Sequence, residues 1–232
     1  MAMSTLYIVA TPIGNLSDFT FRALEILKAV DAIVCEDTRV TSRLLSRYQI
    51  SKPLLSVRER SSAREIERVI ERLEKGETLA YVTDAGTPGL SDPGGLLVAT
   101  VLERLPDTTI VPIPGANAVV TLASVAGVPL DRYTVMGFPP HKKGRKTYFE
   151  TVIQSEYPVF FYESVHRIER SLKELVALLP EGEDRWCIVG RELTKQFEEV
   201  LRGSLRIMAE REIMKKGEFV VLITKWNPKN NV

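Results

Sequence analysis

The run Leu6-Tyr7-Ile8-Val9-Ala10 constrains the fold most, because it is apolar without alternation and of strand length. Such a run reads as a strand covered on both faces. Turn residues in Thr11-Pro12-Ile13-Gly14-Asn15-Leu16 end it. Beyond them Ala23, Ile26, Leu27 and Val30 fall on one helical stripe, with Asp18 placed to cap the helix. Ala32-Ile33-Val34-Cys35 then starts a second buried strand. Two doubly covered strands joined through a helix make a βαβ unit, so the sheet is parallel.

The alternation continues, with strands predicted over 54–57, 78–82 and 109–113 and helices over 42–48, 61–75, 95–104 and 119–126. Gly127-Val128-Pro129-Leu130-Asp131 interrupts the periodicity and marks a domain boundary, giving 1–129 and 130–232. The first domain is α/β with five mostly parallel strands. The second mixes strands at 134–138, 159–162, 185–189, 196–201 and 219–224 with helices near 145–154, 167–179 and 204–215, an α+β domain with a mixed sheet.

Between the strand at 78–82 and the next helix lies Thr83-Asp84-Ala85-Gly86-Thr87-Pro88-Gly89-Leu90-Ser91-Asp92-Pro93-Gly94-Gly95. This is longer than the usual βα loop of two to about six residues, and such excess is commonly functional. Its glycines let a backbone approach a ligand and its prolines stiffen it. Pro114-Gly115-Ala116-Asn117-Ala118 is a second loop of small residues after a strand, suited either to a ligand or to close packing. Glu36-Asp37-Thr38-Arg39 follows the second strand, where open α/β sheets place their crevices, and either faces a substrate or caps a helix.

A net charge of +1, from 31 basic and 30 acidic residues, excludes a global polycation, so any nucleic-acid site is a local patch. Two such patches stand out. One is His141-Lys142-Lys143-Gly144-Arg145-Lys146; the other combines Arg58 and Arg60 with Arg64, Arg68 and Arg72, stacked along one helix face. Each reads as a phosphate contact or as a solvated surface. Cys35 and Cys187 form no metal or disulfide pattern, no apolar run is long enough to cross a membrane, and the start of the chain lacks the apolar core of a signal peptide. A soluble cytoplasmic protein with reduced thiols is expected, with residues 227–231 fraying at the end. GxGxxG, the P-loop lysine, HExxH and GxSxG are all missing, and Asp84 and Asp92 occupy the helix-start region where phosphate would otherwise bind.

Five strings in order carry a resemblance: Thr11-Pro12-Ile13-Gly14-Asn15-Leu16, Cys35-Glu36-Asp37-Thr38-Arg39, Asp84-Ala85-Gly86-Thr87-Pro88, Phe161-Tyr162-Glu163-Ser164 with His166-Arg167, and Arg191-Glu192-Leu193-Thr194-Lys195. Over nearly the whole chain they resemble the ribosomal RNA small subunit methyltransferase I family, within the tetrapyrrole-methylase-like enzymes. The resemblance implies two α/β domains closing on S-adenosyl-L-methionine in a cleft between them, a homodimer, and no metal. It implies methylation of a cytidine ribose 2′-hydroxyl in small-subunit (16S) ribosomal RNA, on free RNA or the assembled subunit. By analogy, donor contacts fall to Pro12, Asp84, Gly86, Thr87, Leu90, Gly115, Ala116, Tyr162, Arg191 and Glu218.

Methyl transfer from a sulfonium is an in-line displacement resting on alignment and removal of the hydroxyl proton. Asp37 or Glu163 is a candidate to accept that proton, with Arg39 or Lys195 stabilising negative charge. The chain departs from the family pattern at Val57-Arg58-Glu59-Arg60-Ser61, where His and Asn are common, and at Ala116-Asn117, which replaces a proline followed by a small residue. Two rivals remain: a small-molecule methyltransferase of the same fold, such as one acting on tetrapyrroles, and a non-catalytic RNA- or ribosome-binding protein.

Overall fold

The structure is a computed structural model, and it describes residues 4–58, 63–213 and 216–226. It divides into two compact units, Met1–Asn117 and Ala118–Val232. The division falls just before a helix, Ala118–Ala126, whereas the break in periodicity at 127–131 follows that helix.

In the first unit, β1 (Thr5–Val9), β2 (Ala32–Cys35), β3 (Leu54–Ser56), β4 (Thr78–Val82) and β5 (Thr109–Ile113) form one parallel sheet in the order β3-β2-β4-β1-β5. All of β2 is buried, and its side chains alternate between two cores. Ile33 and Cys35 join Ala23, Leu27 and Leu45 on one face, and Val34 joins Val69, Leu73 and Leu97 on the other. Helices α1 (Phe21–Ala29) and α2 (Thr38–Arg47) cover the first face, α3 (Ala63–Glu74) and α4 (Gly94–Arg104) the second. This double cover explains why the strands read as continuous apolar runs. Pro112 sits in β5, an edge strand, where its missing N–H breaks no ladder.

Two helix starts differ from the sequence expectation. Asp18 lies in a 3-10 turn, Leu16–Asp18, and Thr20 caps α1 by accepting from the Ala23 N–H at 3.1 Å. The chain must first turn Phe19, 7% exposed, into the core, so the helix opens two residues later. Helix α2 starts at Thr38 rather than 42, because Asp37 caps it through the Arg39 N–H at 2.8 Å. Glu59, Arg60 and Ser61 lie outside the described residues, as does the 227–231 tail.

In the second unit, β6 (Thr134–Val135), β7 (Val159–Ser164), β8 (Trp186–Arg191), β9 (Glu199–Ser204) and β10 (Glu218–Thr224) form a mixed sheet in the order β6-β7-β10-β8-β9. Only β6 and β7 are parallel. Helices α6 (Arg145–Gln154), α7 (Ile168–Val176) and α8 (Leu205–Glu210) close one core with Phe149, Phe161, Leu172, Val189 and Leu205. On the other face, α5 (Ala118–Ala126) approaches so closely that a Cβ on Gly190 would lie 2.9 Å from Leu122 Cδ1. The strand expected from 196 begins at Glu199 because 192–198 forms turns. Both cysteines are free and fully buried, Cys35 in β2 and Cys187 in β8, and burial raises both thiol pKa values.

Candidate functional site

At the carboxyl ends of β4, β1 and β5, neighbours in the sheet, three loops are stitched together. Thr11 and Gly86 exchange backbone hydrogen bonds at 2.9 and 3.1 Å, and the Thr11 hydroxyl donates to the Thr83 carbonyl at 3.2 Å. The Thr87 hydroxyl donates to the Ala116 carbonyl at 3.0 Å, and a Cβ on Gly115 would lie 2.9 Å from Ala10 Cβ. Gly86 takes φ 87°, the left-handed region that favours glycine. Pro12, Gly86, Thr87, Gly115 and Ala116 are thus brought into one cluster of loops, Pro12 and Gly86 buried and Gly115 exposed, with Leu90 half exposed nearby in the chain.

Asp92 shapes the long loop from inside. Its carboxylate accepts from the Gly89, Leu90 and Gly94 N–H groups at 2.7, 3.1 and 2.7 Å, and the Tyr81 hydroxyl approaches to 3.4 Å. Burial and then the Asp92 charge raise the Tyr81 pKa, keeping the phenol protonated. Any Cβ on Gly94 would sit 2.6 Å from Tyr81 Cε1, so glycine is needed there. Asp92 therefore holds backbone, while Asp84 stays exposed.

A reciprocal pair of carboxylates links β2 to β4. Cys35 pairs with Val82, which sets Glu36 beside Thr83. Glu36 Oε1 accepts from the Thr83 hydroxyl and from the Asp84 N–H, and Asp84 Oδ1 accepts from the Asp37 N–H at 3.2 Å. Burial raises the Glu36 pKa more than the Thr83 and Asp84 donors lower it. Asp37 moves the other way: hydrogen bonds from Arg39, at 2.5 to 3.2 Å, hold its carboxyl well below the usual range. Among the sequence candidates Asp37 is thus a weak acceptor of protons, fixed as a helix cap. Glu36 stands in the string Cys35–Arg39, but its partners Thr83 and Asp84 follow only from the β2–β4 register.

In the second unit Glu163 is enclosed, at 1% exposure. It pairs with Arg167 at 2.9 Å and Arg145 at 3.7 Å, and accepts from the Ser171 hydroxyl at 2.5 Å and the Ser164 N–H at 2.8 Å. A carboxylate so surrounded has no face for a ribose hydroxyl, which moves Glu163 from the candidate bases to the framework. Arg191 is similarly buried, bound to Glu199 at 3.1 Å and to the Lys216 carbonyl at 3.1 Å, so its side chain is already engaged within the unit. Tyr162 is half-buried, its ring 5.2 Å from that of Phe138.

Lys195 and Glu218 are brought together. The Lys195 ammonium donates to Glu192 at 2.8 Å and Glu218 at 2.9 Å; burial pulls its pKa down, but these two bonds outweigh it and the net shift is upward. Hydrogen bonding from Lys195 lowers the Glu192 pKa. Glu192 and Thr194 take φ of 49° and 67°, and a Cβ on Gly217 would lie 2.4 Å from Glu192 Cγ. Strain of this kind in non-glycine residues persists where the surroundings enforce it, often at functional sites. Among the described residues no cluster could hold a metal ion, and no helix is long and apolar enough to cross a membrane.

This pairing of a parallel α/β unit, with its ligand-sized loops, and a mixed-sheet unit defines the class of the tetrapyrrole (corrin/porphyrin) methylases, whose family model matches residues 5–209. Uroporphyrin-III-C-methyltransferase from Thermus thermophilus superposes with a TM-score of 0.65 at 17% identity, covering 95% of this chain and 94% of that one. A diphthine synthase superposes with 0.71 at 12%, covering 95% and 90%. At such identities these two show the fold alone. Sequence relatives are more specific. "Ribosomal RNA small subunit methyltransferase I" of Halalkalibacterium halodurans is 41% identical over 222 residues, covering 94% of this chain and 75% of the relative. Its namesake in Escherichia coli O157:H7 is 42% identical over 224 residues, covering 94% and 77%. The chain belongs to the ribosomal RNA small subunit methyltransferase I family of the tetrapyrrole methylases.

Proposed function

We propose that the protein uses S-adenosyl-L-methionine to methylate the ribose 2′-hydroxyl of a cytidine in small-subunit ribosomal RNA. It acts in the cytoplasm as a homodimer, on free RNA or the assembled subunit. The observation that carries this reading is identity above 40% to relatives of that name over most of both chains.

The residues present fit such a donor. The loop cluster at Pro12, Gly86, Thr87, Gly115 and Ala116 offers small residues and backbone, with Gly115 exposed, and a Cβ on Gly89 would meet nothing within 4 Å, leaving that turn approachable. Beside it stand the carboxylates Asp84, Glu36 and Asp37, which suit a cation and hydroxyl groups better than phosphate. Tyr162, Arg191 and Glu218 are assigned to the same donor by the family resemblance. When bound, S-adenosylmethionine supplies an electrophilic methyl group on a sulfonium.

The chain's own residues then hold and align. Asp37, kept ionised by Arg39, orients the ribose hydroxyl, and Glu36, with the higher proton affinity, is the better final acceptor of its proton. In the second unit the Lys195 ammonium is held by Glu192 and Glu218 and offsets the charge of those two carboxylates. The test is transfer of labelled methyl to small-subunit RNA, followed by nuclease digestion. Label is expected in 2′-O-methylcytidine; label on a base, or none on RNA, would overturn the reading.

A further inference from the structure

The segment between β6 and α6 joins an exposed aromatic ring to a run of cations, and its backbone is pinned at three carbonyls. Gly137 O accepts from the Tyr162 N–H at 2.9 Å and the Tyr148 hydroxyl at 3.2 Å. Pro139 O accepts from Arg167 at 3.2 Å and Pro140 O from Arg145 at 3.2 Å. Both arginines are held in turn by buried Glu163, and Arg145 also by Glu174 at 2.7 Å and Ser171 at 2.8 Å. The charge of Arg145, 5% exposed, is therefore spent internally on holding the segment.

What the segment presents outward is different. Phe138 is 55% exposed and leans on Tyr162 at 5.2 Å. His141, Lys142 and Lys143 are exposed, and neither lysine has an ion pair among the described residues. Lys146 makes only a long contact to Glu150, at 3.6 Å, from a side chain 80% exposed. A solubilising loop needs neither the exposed ring nor the buried anchors. An exposed ring followed within five residues by exposed ammonium groups on an anchored backbone suits single-stranded nucleic acid, where stacking takes the base and ammonium groups take the flanking phosphates.

Resting on the reading that RNA is the substrate, we infer that residues 138–143 form the docking surface for single-stranded RNA. Phe138 stacks on a base, Lys142 and Lys143 bind the phosphates beside it, and Arg145 and Arg167 hold the surface rigid without touching RNA. A rigid surface loses less entropy on binding than a floppy basic loop would.

The experiment compares wild type, Phe138→Ala and the double variant Lys142→Ala/Lys143→Ala. A fluorescent single-stranded oligoribonucleotide of small-subunit sequence is titrated at several salt concentrations, and steady-state methylation is measured alongside. Phe138→Ala should bind about tenfold more weakly. The double variant should lower the salt slope by roughly 1.4, at about 0.7 per phosphate contact on a single strand. It should raise KM for RNA with kcat and S-adenosylmethionine affinity within twofold of wild type. Wild-type binding, salt slope and KM in the double variant would overturn the docking surface and leave the methylation reading standing. If the wild type methylates no RNA, that reading fails, and oligonucleotide binding still decides the docking surface.

Discussion

Glu36 and Asp37 are adjacent in the chain and opposite in their hold on a proton. The Glu36 shift is upward, so the folded state binds its proton more tightly than the unfolded chain does. Its contribution to stability is then full below the ordinary glutamate value and declines as pH rises through the raised folded value. Glu36→Gln keeps an acceptor for Thr83 and Asp84 but cannot titrate. The melting temperature of wild type minus that of Glu36→Gln should therefore fall as pH rises from about 4 to 7; a flat difference would contradict the assignment. Asp37→Asn tests the neighbour. Asparagine caps a helix about as well as aspartate, so α2 should persist. Methyl transfer should nevertheless drop about a hundredfold through misplacement of the hydroxyl, with S-adenosylmethionine affinity spared in calorimetry; normal turnover would remove Asp37 from the reaction.

At the scale of elements, Asp92 decides the shape of the loop between β4 and α4. Asp92→Ala strands three backbone donors and is expected to cost about 2 kcal/mol, seen in denaturant unfolding, and to weaken donor binding. Unchanged stability would mean that the loop keeps its shape without the carboxylate. The loop's existence was legible in its glycines and prolines, and β2, β4, β5 and α6 match their predicted bounds because their apolar patterns are local. The inward turn of Asp92 and the enclosure of Glu163 were not legible. A carboxylate in a string looks the same whether it meets solvent or three donors. Glu36 meets Thr83 across 47 residues, and Arg145 meets Glu174 across 29. Those separations close only when strand order is known. Likewise Arg72, read as part of a cationic stack, is bound to Glu77 at 2.5 Å.

For the whole molecule, a net charge of +1 gives no guide to where RNA would bind, since the cations divide between internal and external duty. Arg145, Arg167 and Arg191 stabilise the second unit from within, while Lys142 and Lys143 face outward. The two-unit architecture was legible from the switch between a βα alternation and a mixed pattern. Helix α5 was harder to allot: its sequence continues the alternation of the first unit, yet its Leu122 packs on Gly190 of the second.

Each unit also carries one buried thiol in a central position, Cys35 in β2 and Cys187 in β8, both with raised pKa values. A thiol reagent should leave the native protein unlabelled for as long as both sheets stay closed. With Cys187→Ala or Cys35→Ala leaving a single thiol, the labelling rate becomes a clock for the opening of one unit at a time. Equal rates would mean that the chain opens as a single cooperative body, and unequal rates would rank the two units by their local stability. Fast labelling of either native variant would contradict the enclosure of its sulfur. The protein thus contains, without any added probe, a separate gauge of integrity for each half.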